Sequence, residues 1–124
     1  MRGVEHNGHE KLTLLELVLQ LHGDFRRSLE PIRVTPLQAD VLLYLQRHID
    51  ASVTDAATAL RLRLPTLSEV VKDLVRKRWV TKRYSVEDRR AVCLRLSRRG
   101  QVITRKIENE VRDVRSDLTQ IKEA

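Results

Sequence analysis

The residues with the clearest chemistry lie late in the chain. Asp88-Arg89-Arg90 is a charged turn between two stretches that alternate apolar and polar side chains, Trp79-Val80-Thr81-Lys82-Arg83-Tyr84 and Ala91-Val92-Cys93-Leu94-Arg95-Leu96. Such alternation predicts two paired strands, roughly residues 80–84 and 91–96. A guanidinium at the tip of that hairpin is placed to enter a narrow minor groove of duplex DNA. Asp88, two residues before Arg90, can hold the loop in shape by pairing with it. Lys82 and Arg83, with Arg95, Arg98 and Arg99 nearby, add phosphate contacts or field. Such contacts set affinity and its salt dependence, not sequence choice.

A second group precedes the hairpin. Leu67, Val70, Val71, Leu74 and Val75 form the inner stripe of a helix that opens at Pro65. Thr66, Ser68, Glu69, Lys72 and Arg76 lie mostly outside that stripe, with Arg63 just before it. Thr66 and Ser68 can hydrogen-bond phosphate or base edges, and Lys72 can reach phosphate or guanine. Glu69 can accept from cytosine, the base edge that most favours a carboxylate. It can equally pair with Lys72 on an exposed face.

Earlier elements must position these groups. Residues 12–29 read as a helix so apolar (Leu14, Leu15, Val18, Leu21, Phe25, Leu29, widened by Leu12, Leu17 and Leu19) that most of its faces need cover. Glu30-Pro31 ends it. Thr35 is a suitable N-cap and Pro36 a suitable first residue for a second helix through about His48. Ala51-Ser52 reads as a short loop. Residues 53–60 form an alanine-rich third helix, and 61–64 the turn into the fourth. Helix three, turn and helix four make a helix-turn-helix over residues 53–78, with its second helix leading into the major groove. The hairpin beside it, residues 80–97, is a wing. Ser97 caps a last helix to about Ile121. Its Ile107, Val111, Val114, Leu118 and Ile121 recur at spacings of 4, 3, 4 and 3, a heptad-type seam that wants a partner helix.

The totals agree. The chain has 124 residues, 41% hydrophobic and 33% charged, with aromatics at only 3%, so the core must be aliphatic. Of its net +7, residues 61–106 hold 15 Lys/Arg against 4 Asp/Glu, which points to a polyanion partner. No apolar run is long enough for a membrane span, and residues 1–10 carry no signal-peptide core. One cysteine fits a reducing cytoplasm. No catalytic constellation, phosphate loop or cofactor motif occurs, so an enzyme is not expected. His6, His9 and His22 lack the further ligands a metal site needs. Cys93, between Val92 and Leu94, suits a small apolar filler better than a redox sensor.

Two motifs then carry a resemblance. The stretch from Val34 to Leu45, Val-Thr-Pro-Leu-Gln-Ala-Asp-Val-Leu-Leu-Tyr-Leu, is similar to the start of the second helix in the multiple-antibiotic-resistance regulator (MarR) family. Asp88-x-Arg90-x-x-x-Leu94-x-Leu96-Ser97-x-x-Gly100 resembles that family's wing signature, with serine for the usual threonine. The resemblance covers roughly residues 34–104. It implies a mainly α fold with a small antiparallel β-wing (α+β). Further, it implies a winged helix-turn-helix regulator, most simply a repressor, that grips double-stranded DNA as a homodimer. Asp88 and Arg90 match the wing pair, and Pro65 to Lys72 the recognition helix. The family commonly has arginine where Glu69 stands. Its members usually carry an additional C-terminal helix in the dimer interface, whereas this chain stops at Ala124.

The expected organisation is a flexible N-terminus, 1–11, and a single winged helix domain, 12–124. Within it, 12–30 and 98–122 are dimerisation helices and 35–97 the DNA-binding lobe. The interface would use Leu14, Val18, Leu21, Ile107, Val111, Val114, Leu118 and Ile121. The resemblance also implies a small-molecule effector pocket between the dimer and DNA-binding lobes, here expected to be reduced or absent. The competing expectation is a winged-helix module that docks proteins and ignores DNA, since fold does not fix function.

Overall fold

The computed structural model describes the backbone of residues 2–84, 87 and 91–123, and the side chains of 13–84, 87 and 91–113. Among these residues the order is α1 (Arg2–Leu29), a 3-10 turn (Glu30–Ile32), α2 (Pro36–Arg47), β1 (Ala51–Ser52), α3 (Val53–Ala59), α4 (Leu64–Arg76), β2 (Val80–Tyr84), β3 (Val92–Leu96) and α5 (Arg98–Glu123). The three strands form one antiparallel sheet in the order β1-β3-β2. This is the mainly α architecture with a β-wing that the residue pattern predicts.

Two local expectations are corrected. The first helix begins at Arg2, whereas residues 1–11 read as a flexible N-terminus. No proline precedes Pro31, and each residue added to a formed helix gains a hydrogen bond. Ala51-Ser52 is not a loop but the edge strand β1, with Ala51 opposite Leu94 and Ser52 opposite Cys93. Two residues carry no period, so only their distant partner makes them a strand.

The helix ends are set locally. Thr35 and Gln38 form a capping box, each side chain bonding the other's backbone N–H at 3.1 Å. Ser52 caps α3 by accepting from the Asp55 N–H at 2.9 Å. Arg33, Arg61 and Arg78 adopt left-handed backbone geometry where helices stop. Each is followed by a six-to-one hydrogen bond, Val34 to Leu29, Leu62 to Ala57 and Trp79 to Leu74.

The core is aliphatic. Leu29, Leu42, Leu45, Leu67, Leu74, Leu94 and Ile107 are among its fully buried members, drawn from all parts of the fold. Lys77 stitches its edge. Its ammonium donates to the Arg33 carbonyl (2.9 Å) and to Gln38 Oε1 (3.3 Å), and sits 4.7 Å from the Trp79 ring centre.

The base of the wing meets α5 at Gly100. The Ser97 N–H donates to the Trp79 carbonyl at 2.9 Å, closing the hairpin. Ser97 Oγ donates to the Arg78 carbonyl (2.6 Å) and accepts from the Gly100 N–H (3.0 Å), capping α5. A Cβ on Gly100 would lie 1.9 Å from the Trp79 carbonyl oxygen, inside any tolerable contact. Gly100→Ala is therefore expected to force the wing base away from α5 and to destabilise the chain by about 1–3 kcal/mol. Urea unfolding checks this as a lower midpoint at unchanged slope.

Candidate nucleic-acid interface

Four residues, 60–63, join α3 to α4, and Arg61 reverses the chain with φ 55°. α4 is sharply two-faced. Leu67, Val70, Val71 and Leu74 are buried. Arg63, Leu64, Pro65, Thr66, Ser68, Glu69, Lys72 and Arg76 are exposed. Every residue that the sequence assigns to this surface therefore faces outward. Pro65, Ser68, Glu69, Lys72 and Arg76 follow one another at helical spacing along a single stripe.

The structure separates these side chains by their partners. Arg76 pairs with Asp73 at 3.2 Å, at the far end of α4. Among the described residues, neither Glu69 nor Lys72 has an ion-pair or hydrogen-bond partner. The i,i+3 pair between them does not form.

Pleating divides the wing cations. Lys82 lies opposite Leu94 and Arg83 opposite Cys93. Lys82 and Tyr84 line a groove shared with Thr54, Ser68, Val71 and Val92, so they face the recognition helix. Arg83 points to the other face of the sheet, where its charge acts on Asp50. Of the two strand cations expected to give phosphate contacts or field, Lys82 thus lies on the α4 side and Arg83 on the other. Side chains two positions apart share a face and adjacent ones do not.

Arg95 is corrected as well. Its guanidinium grips the Asp50 carboxylate with two bonds, Nε to Oδ1 at 3.0 Å and Nη2 to Oδ2 at 2.5 Å, rather than standing ready for phosphate. The hydrogen bond from Arg95 holds the Asp50 carboxyl below its ordinary value, aided by the charges of Arg95 and Arg83 and opposed by desolvation. The same pairing raises Arg95. This fork ties the turn after α2, where Asp50 has φ 59°, to the middle strand of the wing. Sequence reasoning missed Asp50 because its partner is 45 residues away. Tyr84, 71% exposed beside Lys82, was legible in the strand alternation but not singled out. Asp88, Arg89 and Arg90 lie outside the described residues.

The other expected surface divides too. Leu14, Leu15, Val18 and Leu19 are more than half exposed along one face of α1, and Leu21 is half-buried. Ile107 is fully buried in the chain's own core, and Val111 packs against that core. Ile107 therefore has no surface to offer a second chain, because it is fully buried on the side of α5 that packs within its own chain, where α1 and α2 meet that helix. The side chains of Val114, Leu118 and Ile121 lie outside the described residues. Among the described residues no group of three or more His, Cys, Asp or Glu could hold a metal ion, and no helix is long and apolar enough to cross a membrane.

An amphipathic second helix presented beside a small antiparallel sheet, between two long helices, defines a winged helix-turn-helix protein. Residues 34–91 match the sequence model of the MarR family. The fold is shared with solved structures of that family's regulators. Wild-type MarR from E. coli in its apo form superposes with a TM-score of 0.79 at 22% identity, covering 89% of this chain and 82% of that one. A cysteine-to-serine mutant of E. coli MarR complexed with operator DNA gives 0.79 at 22% identity, covering 89% and 79%. An S. aureus MepR–DNA complex gives 0.81 at 20% identity, covering 89% and 82%. No curated protein sequence matches the chain.

The Asp50–Arg95 fork yields a pH test. The pair stabilises the fold where Asp50 is charged. Its contribution is complete above the ordinary carboxylate value and is lost as pH falls through the lowered folded-state value. Asp50→Asn should therefore lower the melting temperature near neutral pH. The gap to the natural chain should close toward acid and narrow in high salt. Melting curves from pH 7 down to 2 provide the check.

Proposed function

We propose that the chain is a transcription regulator that binds double-stranded DNA in the cytoplasm, as a homodimer, and represses. The observation that carries this reading is the exposed stripe of α4 lying beside Lys82 and Tyr84 of the wing. That pairing puts hydrogen-bonding and cationic side chains on one surface, backed by a rigid aliphatic core. Two structures sharing the fold are complexes with DNA, which supports the same use here.

In this reading the N-terminal half of α4 enters the major groove. Thr66, Ser68 and Lys72 meet base edges or phosphate there, and Glu69 a base edge. Arg63 and Lys82 contact backbone phosphates. Arg89 and Arg90 at the wing tip reach the flanking minor groove, with Asp88 holding the turn. Arg83 sits on the opposite face of the sheet and Arg76 is engaged by Asp73, so both contribute field rather than contact.

Dimerisation falls to α1. Leu14, Leu15, Val18 and Leu19 form a continuous apolar strip that a single chain leaves in water, and a second copy would cover it. The heptad-spaced Val114, Leu118 and Ile121 of α5, outside the described side chains, are assigned to the same interface from their spacing alone. Two lobes held this way read half-sites about one helical turn apart, and occupancy of such a site blocks transcription.

Selection of bound duplex from random sequence, using the purified chain, tests the reading. A two-fold symmetric consensus is expected. A protein-docking module would return none and would ignore duplex at low salt. Lys82→Ala should weaken binding to all sequences alike and reduce the slope of log affinity against log salt by about 1. Val18→Asp should leave the chain monomeric by sedimentation and cut operator affinity by about a hundredfold or more, since the second half-site is then lost. A Val18→Asp variant that stays dimeric would remove α1 from the interface.

A further inference from the structure

We infer that Glu69 sets sequence choice by demanding a cytosine in each half-site and rejecting the other bases, an assignment that rests on the DNA-binding reading above. Three observations converge on it. Glu69 is exposed in the N-terminal half of α4, on the same stripe as Pro65, Ser68 and Lys72. It has no ion-pair or hydrogen-bond partner among the described residues. The nearest alternative acid on the helix, Asp73, is engaged by Arg76 at 3.2 Å. Glu69 is thus the one unneutralised carboxylate on the outward face of α4.

A bare carboxylate on a surface built for a polyanion is costly, because phosphate repels it from every side. The cost is offset only where the groove offers a donor. Cytosine presents its N4 amino group in the major groove without an acceptor on the same base edge. Guanine presents N7 and O6, adenine places N7 beside its amino group, and thymine presents O4. Each of these puts a lone pair against the carboxylate. Glu69 therefore acts twice: it accepts from cytosine, and it penalises the remaining bases by repulsion. A cation at the same place would raise affinity for all duplexes. The acid lowers non-specific binding and sharpens discrimination.

The test is duplex selection with the full chain and two variants, E69Q and E69A, followed by affinities for the selected site and for single-base changes in it. The natural chain should select one C·G pair at equivalent places in both half-sites. Replacing that pair should cost roughly ten- to a hundredfold in affinity. E69Q keeps the shape but can donate as well as accept, so it should exchange the preference for adenine. E69A should show no preference at that place, with severalfold tighter binding to unrelated duplex at low salt. Both variants should melt with the natural chain, since the side chain is exposed and unpartnered.

Identical consensus sequences from all three proteins would overturn the role of Glu69 while leaving DNA binding intact. So would an E69A variant that binds every duplex more weakly. A natural chain that selects no consensus at all would sink the DNA-binding reading itself, and this inference with it.

Discussion

The Ser97 N–H to Trp79 carbonyl hydrogen bond is the joint on which the molecule turns. It closes the base of the wing, immediately after α4 and immediately before α5. Gly100 lets α5 come close enough for that joint to form, and Ser97 Oγ both donates and accepts a hydrogen bond there. Recognition helix, wing and the long terminal helix are thereby fixed to one another by backbone contact as well as by their shared core. Backbone groups buried at such a junction must find partners, which makes its geometry nearly obligatory. Thr104, buried one turn on and bonded to the Gly100 carbonyl at 2.6 Å, continues the same packing line into α5.

From that joint outward, burial decides which cations are available. The basic block of residues 61–106 looks uniform as a composition, yet its members have different fates. Lys77 is spent on the Arg33 carbonyl, Gln38 and the Trp79 ring. Arg95 is locked to Asp50 and Arg76 to Asp73. Lys72 and Lys82 remain exposed beside the outward stripe of α4. A positive field is a property of the whole lobe, whereas contact is a property of a few side chains that the fold leaves unpaired.

The fold survives at about one residue in five identical to the E. coli and S. aureus structures. The core explains this tolerance. It is built almost wholly from Leu, Val, Ile and Ala, and such interiors accept exchanges among aliphatic residues of similar volume. Constraints of a stricter kind are few and local: the Thr35–Gln38 box, the close contact at Gly100, and the left-handed residues where helices end.

The element types and their order were written in the sequence. Helical spacing, the Thr35-Pro36 start, the alternation of residues 80–84 and the Ser97 cap are short-range signals, read from neighbours on the chain. The outward face of α4 was legible for the same reason, since one buried stripe fixes the opposite exposed one. What the chain could not disclose alone were relations across long separations. That Ala51-Ser52 is a strand depends on Leu94 and Cys93. That Arg95 is occupied depends on Asp50, and that Ile107 is core rather than interface depends on the helices that pack against α5. Lys82 and Arg83, adjacent and chemically alike, must take opposite faces of any strand, but only the packing of the sheet decides that it is Lys82 that meets α4. Local periodicity made the parts; tertiary contact decided which of their charges remain exposed.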